Sequence, residues 1–217
     1  MKIGFIFDMD GVITDSNPYH KISLREFCER YGYHLTEEDL LNKIYGRTNK
    51  DWITNVFGVL SPEQLNQYAE EKEALYRKTH EKDIVPLPGI RQFLEQLEQH
   101  ALPKAIGTSA PMSNVDFILG KTGLARFFSV ILKDTDITVG KPHPEIYQKA
   151  AARLGLPPEN CIVFEDSLSG IAAGQAAGCK VVGVTTTHSA AELAHTDFVI
   201  ADFTDLDPIR LMEELFQ

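Results

Sequence analysis

The chain opens on a short apolar run that has no polar side to turn toward solvent. Residues 3–7 read IGFIF, without a polar side chain on either face. Strands of this composition are typical of parallel sheets that helices cover on both faces. The run stops abruptly at Asp8-Met9-Asp10-Gly11. We therefore expect the first strand to lie inside an α/β sheet, with two carboxylates at its carboxyl end.

The chain after residue 102 alternates apolar strand-like runs with helical patterns. Such an alternation predicts right-handed βαβ units and parallel strand pairing. The further strands are predicted at 104–108, 130–132, 161–165, 181–184 and 197–200, with helices between them.

The stretch from residue 16 to residue 82 carries helical patterns alone. Helix starts are indicated at Asn17-Pro18, at Thr36 and at Ser61-Pro62, where a cap residue precedes the first turn. The simplest arrangement is therefore one sheet that a helical insertion interrupts.

This organisation predicts an α/β fold with two domains. A Rossmann-like parallel-sheet core would comprise residues 1–15 and 84–217, and an inserted all-α cap domain would comprise residues 16–83. The connections, near residues 12–16 and 82–88, are short. A helical lobe on two short connections is typical of a lid that swings over a site.

Composition excludes several classes of function. The 217 residues are 43% hydrophobic, which suffices for a packed core, and no run approaches the ~20 apolar residues of a membrane span. A formal net charge of −10 argues against broad nucleic-acid binding. The three cysteines lack metal-type spacing, and no secretion signal precedes the first strand. We expect a cytoplasmic monomer whose partner is a small molecule, neither nucleic acid nor membrane.

The two acids after the first strand indicate a cation site. Asp8 and Asp10 alternate with Met9, so extended geometry directs both carboxylates toward one centre. Two close carboxylates repel each other, and a bound divalent cation usually offsets this repulsion. Gly11 would let a ligand oxygen approach the backbone closely.

Two later stretches carry further candidate functional residues. Thr108-Ser109 ends the second strong strand, and in a parallel sheet its hydroxyls would lie near Asp8. Taken alone, such a pair after a strand is more often a helix cap. Lys141 lies between Gly140 and Pro142, where a stiff backbone would aim its side chain.

The strand at 161–165 resembles the first strand, because it too is an apolar run that ends in acidic residues. It ends in Glu165-Asp166-Ser167, and the helix that follows is rich in Gly and Ala. Small residues allow close packing of that helix on the sheet, which would hold Asp166 firmly. Residues of this stretch also suit the cap of a helix, an interpretation that fits Ser167 better than Asp166.

Together the four stretches resemble the motifs of the haloacid dehalogenase superfamily, in the branch with a helical cap inserted after the first motif. The matching residues are Asp8 and Asp10 in DMDG, Thr108 after its strand, Lys141 in GKPHP, and Glu165 and Asp166 in ED. The resemblance covers nearly the whole chain.

The resemblance implies a role for each matching residue. Asp8 would attack phosphorus and become an aspartyl phosphate, while Asp10 would act as general acid and then base. Mg²⁺ would be held by Asp8, the backbone carbonyl of Asp10 and Asp166, with Glu165 as a further or outer contact. The transferring phosphoryl oxygens would be bound by Thr108, Ser109, Lys141 and the amide of Gly11.

The cap is expected to supply substrate specificity. Its candidate cations are His20, Arg47, Lys72, Arg77 and Lys78, and residues 45–49 between two helices are a candidate specificity loop. On the long charged helix, a solvated surface position is the favoured interpretation of each individual cation.

Within this superfamily, the sequence resembles the branch that contains β-phosphoglucomutase. It shares the DMDGV opening, a histidine matching His20 and a cap lysine resembling Lys72. It places an arginine three residues after the cap-loop glycine to grip the distal phosphate, whereas this chain has Asn49 there and Arg47 two positions earlier.

Three functions therefore stay open. The first is a Mg²⁺-dependent phosphatase for a small phosphorylated metabolite such as a sugar phosphate. The second is a hexose phosphomutase, which returns the phosphoryl group to a sugar hydroxyl. The third is a non-catalytic phosphoaspartate or metal-binding module.

Overall fold

The computed structural model describes residues 2–44 and 47–216, and it confirms the predicted α/β class with a helical insertion. The chain divides into two compact units. One unit combines Met1–Asp15 with Val85–Gln217 and contains the sheet, whereas the other, Ser16–Ile84, is helical.

The sheet has six parallel strands in the order β3-β2-β1-β4-β5-β6. Each predicted strand is present, with bounds that differ from the predicted ones by one residue at most. The strands are β1 Gly4–Phe7, β2 Lys104–Gly107, β3 Ile131–Leu132, β4 Cys161–Glu165, β5 Lys180–Val184 and β6 Phe198–Ile200. The central position of β1 explains its apolar sequence, because β2 and β4 pair with it on either side.

Helices connect the strands and build the second unit. In the helical unit they are α1 Asn17–Arg30, α2 Glu37–Asp39, a π-helix Leu40–Ile44, α3 Asn49–Phe57 and α4 Pro62–His80. In the sheet unit they are α5 Ile90–Gln99, α6 Met112–Thr122, α7 Glu145–Arg153, α8 Leu168–Ala177 and α9 Pro208–Leu215, with short 3₁₀ turns at Ala125–Phe127, Asp134–Asp136 and Pro158–Asn160.

The predicted cap signals act as expected at several helix starts. The side chain of Thr36 accepts a hydrogen bond from the amide of Asp39, and Ser61 accepts one from the amide of Gln64. Asp207 caps α9 in the same way. Such caps satisfy amides that a helix start otherwise leaves without a partner.

An aromatic cluster lies directly beneath the carboxyl ends of β1 and β4. The rings of Phe7 and Phe164 are stacked, with centroids 4.9 Å apart, and Phe93 and Phe203 pack around them. Close-packed interiors resist displacement. The last residues of both strands are thereby held in a defined position.

The two points where the chain leaves and re-enters the sheet unit are tied together. The hydroxyl of Thr14 donates to the carbonyl of Val85 at 2.6 Å, and the amide of Leu87 donates to the carbonyl of Ile13 at 2.9 Å. The helical unit has its own core, which includes Phe27, Trp52 and Leu75. Among the described residues, no helix combines the length and apolarity that crossing a bilayer requires.

Candidate active site

The carboxyl ends of β1 and β4 bring the predicted acids together. Phe7 and Phe164 are partners in the register, and the amide of Asp8 donates to the carbonyl of Phe164 at 3.0 Å. Asp8 therefore lies beside Glu165, one step beyond the paired strands. This contact joins residues that are more than 150 positions apart in the chain because the strands are parallel neighbours.

Three buried carboxylates and one lysine form the centre of the site. Asp8, Glu165 and Asp166 each offer an oxygen, and these oxygens lie within 4.8 Å of one another. The ammonium of Lys141, which is 6% exposed, donates to Oδ1 of Asp8 at 2.8 Å and to Oε1 of Glu165 at 2.6 Å. These four side chains, which the sequence predicted to converge, lie together in the structure.

Burial and mutual repulsion govern the protonation of these groups. Burial raises the pKa of Asp8 well above its ordinary value, Lys141 opposes the rise, and Glu165, Asp166 and Asp10 add to it. Burial, reinforced by Glu165, raises the pKa of Asp166 to about 7. Burial lowers the pKa of Lys141, but Asp8 and Glu165 outweigh this effect and keep its pKa above the ordinary value. Lys141 therefore stays charged at neutral pH.

Glu165 is fully buried (0% exposed) and accepts hydrogen bonds on both carboxylate oxygens. Oε1 accepts from Lys141 and from the hydroxyl of Tyr147, each at 2.6 Å. Oε2 accepts from the amides of Asp166 and Ser167 and from the hydroxyl of Ser167, at 3.0–3.1 Å. Of the two roles that the sequence left open for Glu165, this bonding favours an outer contact that orients Lys141 and Asp166.

The loop that carries Lys141 is fastened by the first residue of α7. Oε2 of Glu145 accepts from the amides of Thr138 and Val139, at 3.0 and 2.9 Å. Lys149, one turn later, donates to Oε1 of Glu145 at 2.6 Å and lowers the pKa of that carboxyl to about 2. The carboxylate is thus ionised at neutral pH and restrains the backbone shortly before Lys141.

Thr108 and Ser109 follow β2 at the same edge of the sheet. β1 and β2 are paired with Phe7 opposite Ile106, so Thr108 lies one residue beyond the level of Asp8. Thr108 is buried, and its hydroxyl oxygen accepts from the amide of Ala110 at 3.1 Å. The hydroxyl oxygen of Ser109 is also buried and finds no hydrogen-bond partner among the described residues. A buried hydroxyl without a partner lowers the stability of the fold unless a ligand or water forms a hydrogen bond with it.

The amide of Gly11 differs from its predicted role as a phosphate donor. It donates to the carbonyl of Thr14 at 2.8 Å, because Gly11 adopts a φ of 75° and turns the chain back on itself. The carbonyl of Gly11 accepts from the hydroxyl of Thr186 at 2.7 Å. Gly11 therefore shapes the loop after Asp10, and its amide is already engaged.

Two residues that the sequence motifs did not predict bond the site directly. Thr187 follows β5 and donates a short hydrogen bond to Oδ2 of Asp166. Tyr147 in α7 bonds Glu165, as described above. A run of three threonines at the carboxyl end of β5 is a signal that points to the first. Tyr147 carries no such signal, since its spacing from Ile146 and Ala150 is that of an ordinary core position.

Lys72 and His20, two predicted cap residues, lie together inside the helical unit. Lys72 is 4% exposed, so a solvated surface position, the interpretation favoured for each cation of this helix, is wrong for it. Its ammonium contacts Oε1 of Glu73 and Nδ1 of His20, each at 2.9 Å. The imidazole stacks on Tyr76 with centroids 3.7 Å apart. The buried Glu73 explains how α4 accommodates a buried ammonium.

The remaining cap candidates are placed as follows. Arg47 and Lys78 are exposed, and Arg77 is half-buried. The side-chain oxygen of Asn49 accepts from Nε1 of Trp52 at 2.7 Å, which holds Asn49 at the start of α3. Tyr45 and Gly46 of the predicted specificity loop lie outside the described residues.

Sequence comparison relates the chain to known proteins. Residues 5–184 match the model of a family described as haloacid dehalogenase-like hydrolase. Hexitol phosphatase A of Escherichia coli (strain K12) is 32% identical over 199 residues, covering 91% of this chain and 89% of the relative. β-Phosphoglucomutase of Bacillus subtilis (strain 168) is 30% identical over 217 residues, covering 96% of this chain and 93% of the relative.

Structural comparison agrees with these matches. A crystal structure of a HAD hydrolase, family IA, variant 3, from Entamoeba histolytica HM-1:IMSS has a TM-score of 0.88 and 31% sequence identity, and the match covers 100% of both chains.

Proposed function

The chain belongs to the haloacid dehalogenase-like hydrolases, as its motifs predicted, and we propose that it is a Mg²⁺-dependent phosphatase of a small phosphorylated metabolite, with sugar phosphates as the preferred class. The observation that carries the proposal is the contact of Lys141 with Asp8 beside the carboxylate of Asp166. The names of the relatives, hexitol phosphatase A and β-phosphoglucomutase, support the substrate class.

The donors at the site fit Mg²⁺. They are buried carboxylate oxygens, the hard ligands that this ion prefers. Raised pKa values at Asp8 and Asp166 indicate that these carboxylates need more positive charge than Lys141 provides. Asp8, Asp166 and the backbone carbonyl of Asp10 would hold the ion. When bound, Mg²⁺ neutralises charge on the carboxylates and on the transferring phosphoryl oxygens.

Asp8 is the nucleophile in the proposed first half-reaction. Its carboxylate oxygen forms a bond to phosphorus while the bond from phosphorus to the ester oxygen breaks. Asp10 donates a proton to the leaving alkoxide, which departs as an alcohol. The product is an aspartyl phosphate, so that one difficult displacement becomes two easier ones.

Water completes the reaction in the second half. Asp10, now ionised, takes a proton from the water as its oxygen attacks phosphorus, and the bond from phosphorus to Asp8 breaks. Inorganic phosphate leaves, and both aspartates return to their initial state. Lys141 and the hydroxyls of Thr108 and Ser109 bind the phosphoryl oxygens, whose charge spreads in both transition states.

Phosphatase activity is favoured over mutase activity by the residue at position 49. A mutase must hold a second phosphate while the sugar turns over, and its branch uses an arginine there. Asn49 lacks a charge, and its side-chain oxygen is already engaged with Trp52. We therefore place hydrolysis first and hexose phosphomutase second.

Phosphate release from a panel of phosphorylated metabolites, with and without Mg²⁺, tests the proposal. We expect Mg²⁺-dependent turnover of at least one sugar or sugar-alcohol phosphate, and Asp8→Asn should lower it by at least about 10³-fold. Asp116→Asn, which makes the same change at an exposed position of α6, is the matched control and should leave turnover unchanged.

The alternatives give different results in the same experiment. Turnover of another phosphate class alone would overturn the substrate class. Conversion of β-glucose 1-phosphate to glucose 6-phosphate faster than phosphate release would identify a mutase. Full activity in Asp8→Asn would exclude Asp8 as the nucleophile.

A further inference from the structure

Tyr147 connects the parts of the site without belonging to any of its motifs. It is the third residue of α7, and its side chain is fully buried. Its hydroxyl donates to Oε1 of Glu165 at 2.6 Å, the same oxygen that accepts from Lys141. A buried side chain that bonds the central carboxylate contributes more than packing alone.

The ring of Tyr147 also contacts the lysine and the neighbouring strand. Nζ of Lys141 lies 5.0 Å from the ring centroid, within the range of a cation–π contact. A Cβ added to Gly107, the last residue of β2, would meet the ring at 3.2 Å. The ring therefore fills the space that this glycine leaves at the carboxyl end of β2.

The hydrogen bond from Tyr147 to Glu165 affects how Lys141 is shared between Glu165 and Asp8. Nζ of Lys141 bridges Oε1 of Glu165 and Oδ1 of Asp8, at 2.6 and 2.8 Å. The phenol supplies Oε1 with a second donor and so weakens its attraction for the ammonium. Burial raises the pKa of Tyr147 well above its ordinary value, so the phenol keeps its proton and remains a donor.

The other oxygen of Glu165 prevents the carboxylate from rotating to compensate. Oε2 is held by two amides and one hydroxyl at the start of α8, and Gly170 faces the carboxylate so closely that a Cβ there would collide with it. Without the phenol, a fixed Glu165 would draw Lys141 toward itself and away from Asp8.

We propose that Tyr147 is a positioning residue, which shares the charge of Glu165 so that Lys141 remains in contact with Asp8 and faces the transferring phosphoryl group. The catalytic part of this inference rests on the proposed phosphatase function, whereas the position of Lys141 does not.

Tyr147→Phe removes the hydroxyl and keeps the ring. We expect kcat to fall by about tenfold, the usual scale for a residue that orients a catalytic group, with KM changed less than twofold. The matched control is Tyr31→Phe, which removes a comparable phenol–carboxylate bond, 2.7 Å long, to Glu71 in the helical unit. It should leave both constants unchanged.

Rescue separates positioning from packing. Replacement of Tyr147 by p-aminophenylalanine restores a donor at the same position and should recover at least half of the lost kcat. A variant that recovers stability without recovering kcat would contradict the proposal, as would an unchanged kcat in Tyr147→Phe.

Crystal structures of the metal-free protein test the proposal without any assay. In Tyr147→Phe, Nζ of Lys141 should stay within 3.5 Å of Glu165 and lie beyond that distance from Asp8. A variant that retains the contact with Asp8 overturns the proposal, even if the wild type proves to have a different activity. If the variant does not fold, the wild-type crystal structure decides, because a hydroxyl of Tyr147 out of reach of Glu165 also overturns it.

Discussion

Replacing Asp166 by asparagine should stabilise the metal-free protein while abolishing its response to Mg²⁺. Burial, reinforced by Glu165, raises the pKa of Asp166 from its ordinary value of about 3.9 to about 7. Between these two values the folded chain binds more protons at this group than the unfolded chain does. The free energy of unfolding therefore falls as pH rises from about 4 to about 7, and the loss is complete above pH 7.

The size of the expected stabilisation follows from the same difference between the two pKa values of Asp166. About three pH units correspond to about 4 kcal/mol at pH 8, where Asp166 is ionised in both states. Asparagine removes this charge, and the pKa of about 7 already includes the attraction to Lys141. Because relaxation and water penetration reduce the effective cost of a buried charge, we expect about half of the figure, about 2 kcal/mol. The amide oxygen can still accept the hydrogen bond of Thr187. For a chain of 217 residues, the gain corresponds to a rise in Tm of about 4–8 °C.

Thermal unfolding at pH 8 measures both parts of this prediction. In EDTA, the variant should melt above the wild type, and at pH 4 the difference should disappear. At a Mg²⁺ concentration of 100 Kd the wild type should gain about 2.7 kcal/mol, whereas the variant should gain much less and should lack activity. A variant that melts below the wild type in EDTA, or that responds equally to Mg²⁺, would refute the reasoning.

Three further changes test individual contacts. Thr187→Val removes the hydroxyl that bonds Asp166 and should raise the Mg²⁺ concentration for half-maximal activation by about tenfold, whereas unchanged activation would show that this bond is dispensable. Gly170→Ala should lower the free energy of unfolding in urea by about 1–3 kcal/mol, because the new Cβ collides with Glu165. Alanine normally stabilises a helix, so a gain in stability would contradict the close packing of α8. Ser61→Ala should cost about 1 kcal/mol through the lost cap of α4 and leave kcat unchanged, which urea unfolding and an activity assay measure together.

The strands and the arrangement of the four motifs could be predicted because the information is local. Apolar runs such as residues 3–7 and 161–164 have no polar face, which restricts them to the inside of a parallel sheet. Parallel neighbours end at the same edge of a sheet, so acids that follow two such strands must come close together. The contact of Asp8 with the end of β4 follows from this topology.

Contacts between side chains of different elements were decided by the tertiary structure alone. The burial of Lys72 depends on how α1 and α4 face each other, and the helical pattern of α4 does not encode the position of His20. Tyr147 resembles any core residue of an amphipathic helix until the rotation of α7 directs its hydroxyl at Glu165. The sequence by itself determined which chemical groups meet at the edge of the sheet, because pairing rules act on whole strands. The hydrogen bonds that orient those groups depend on shifts of about an ångström in packing, which no residue pattern specifies.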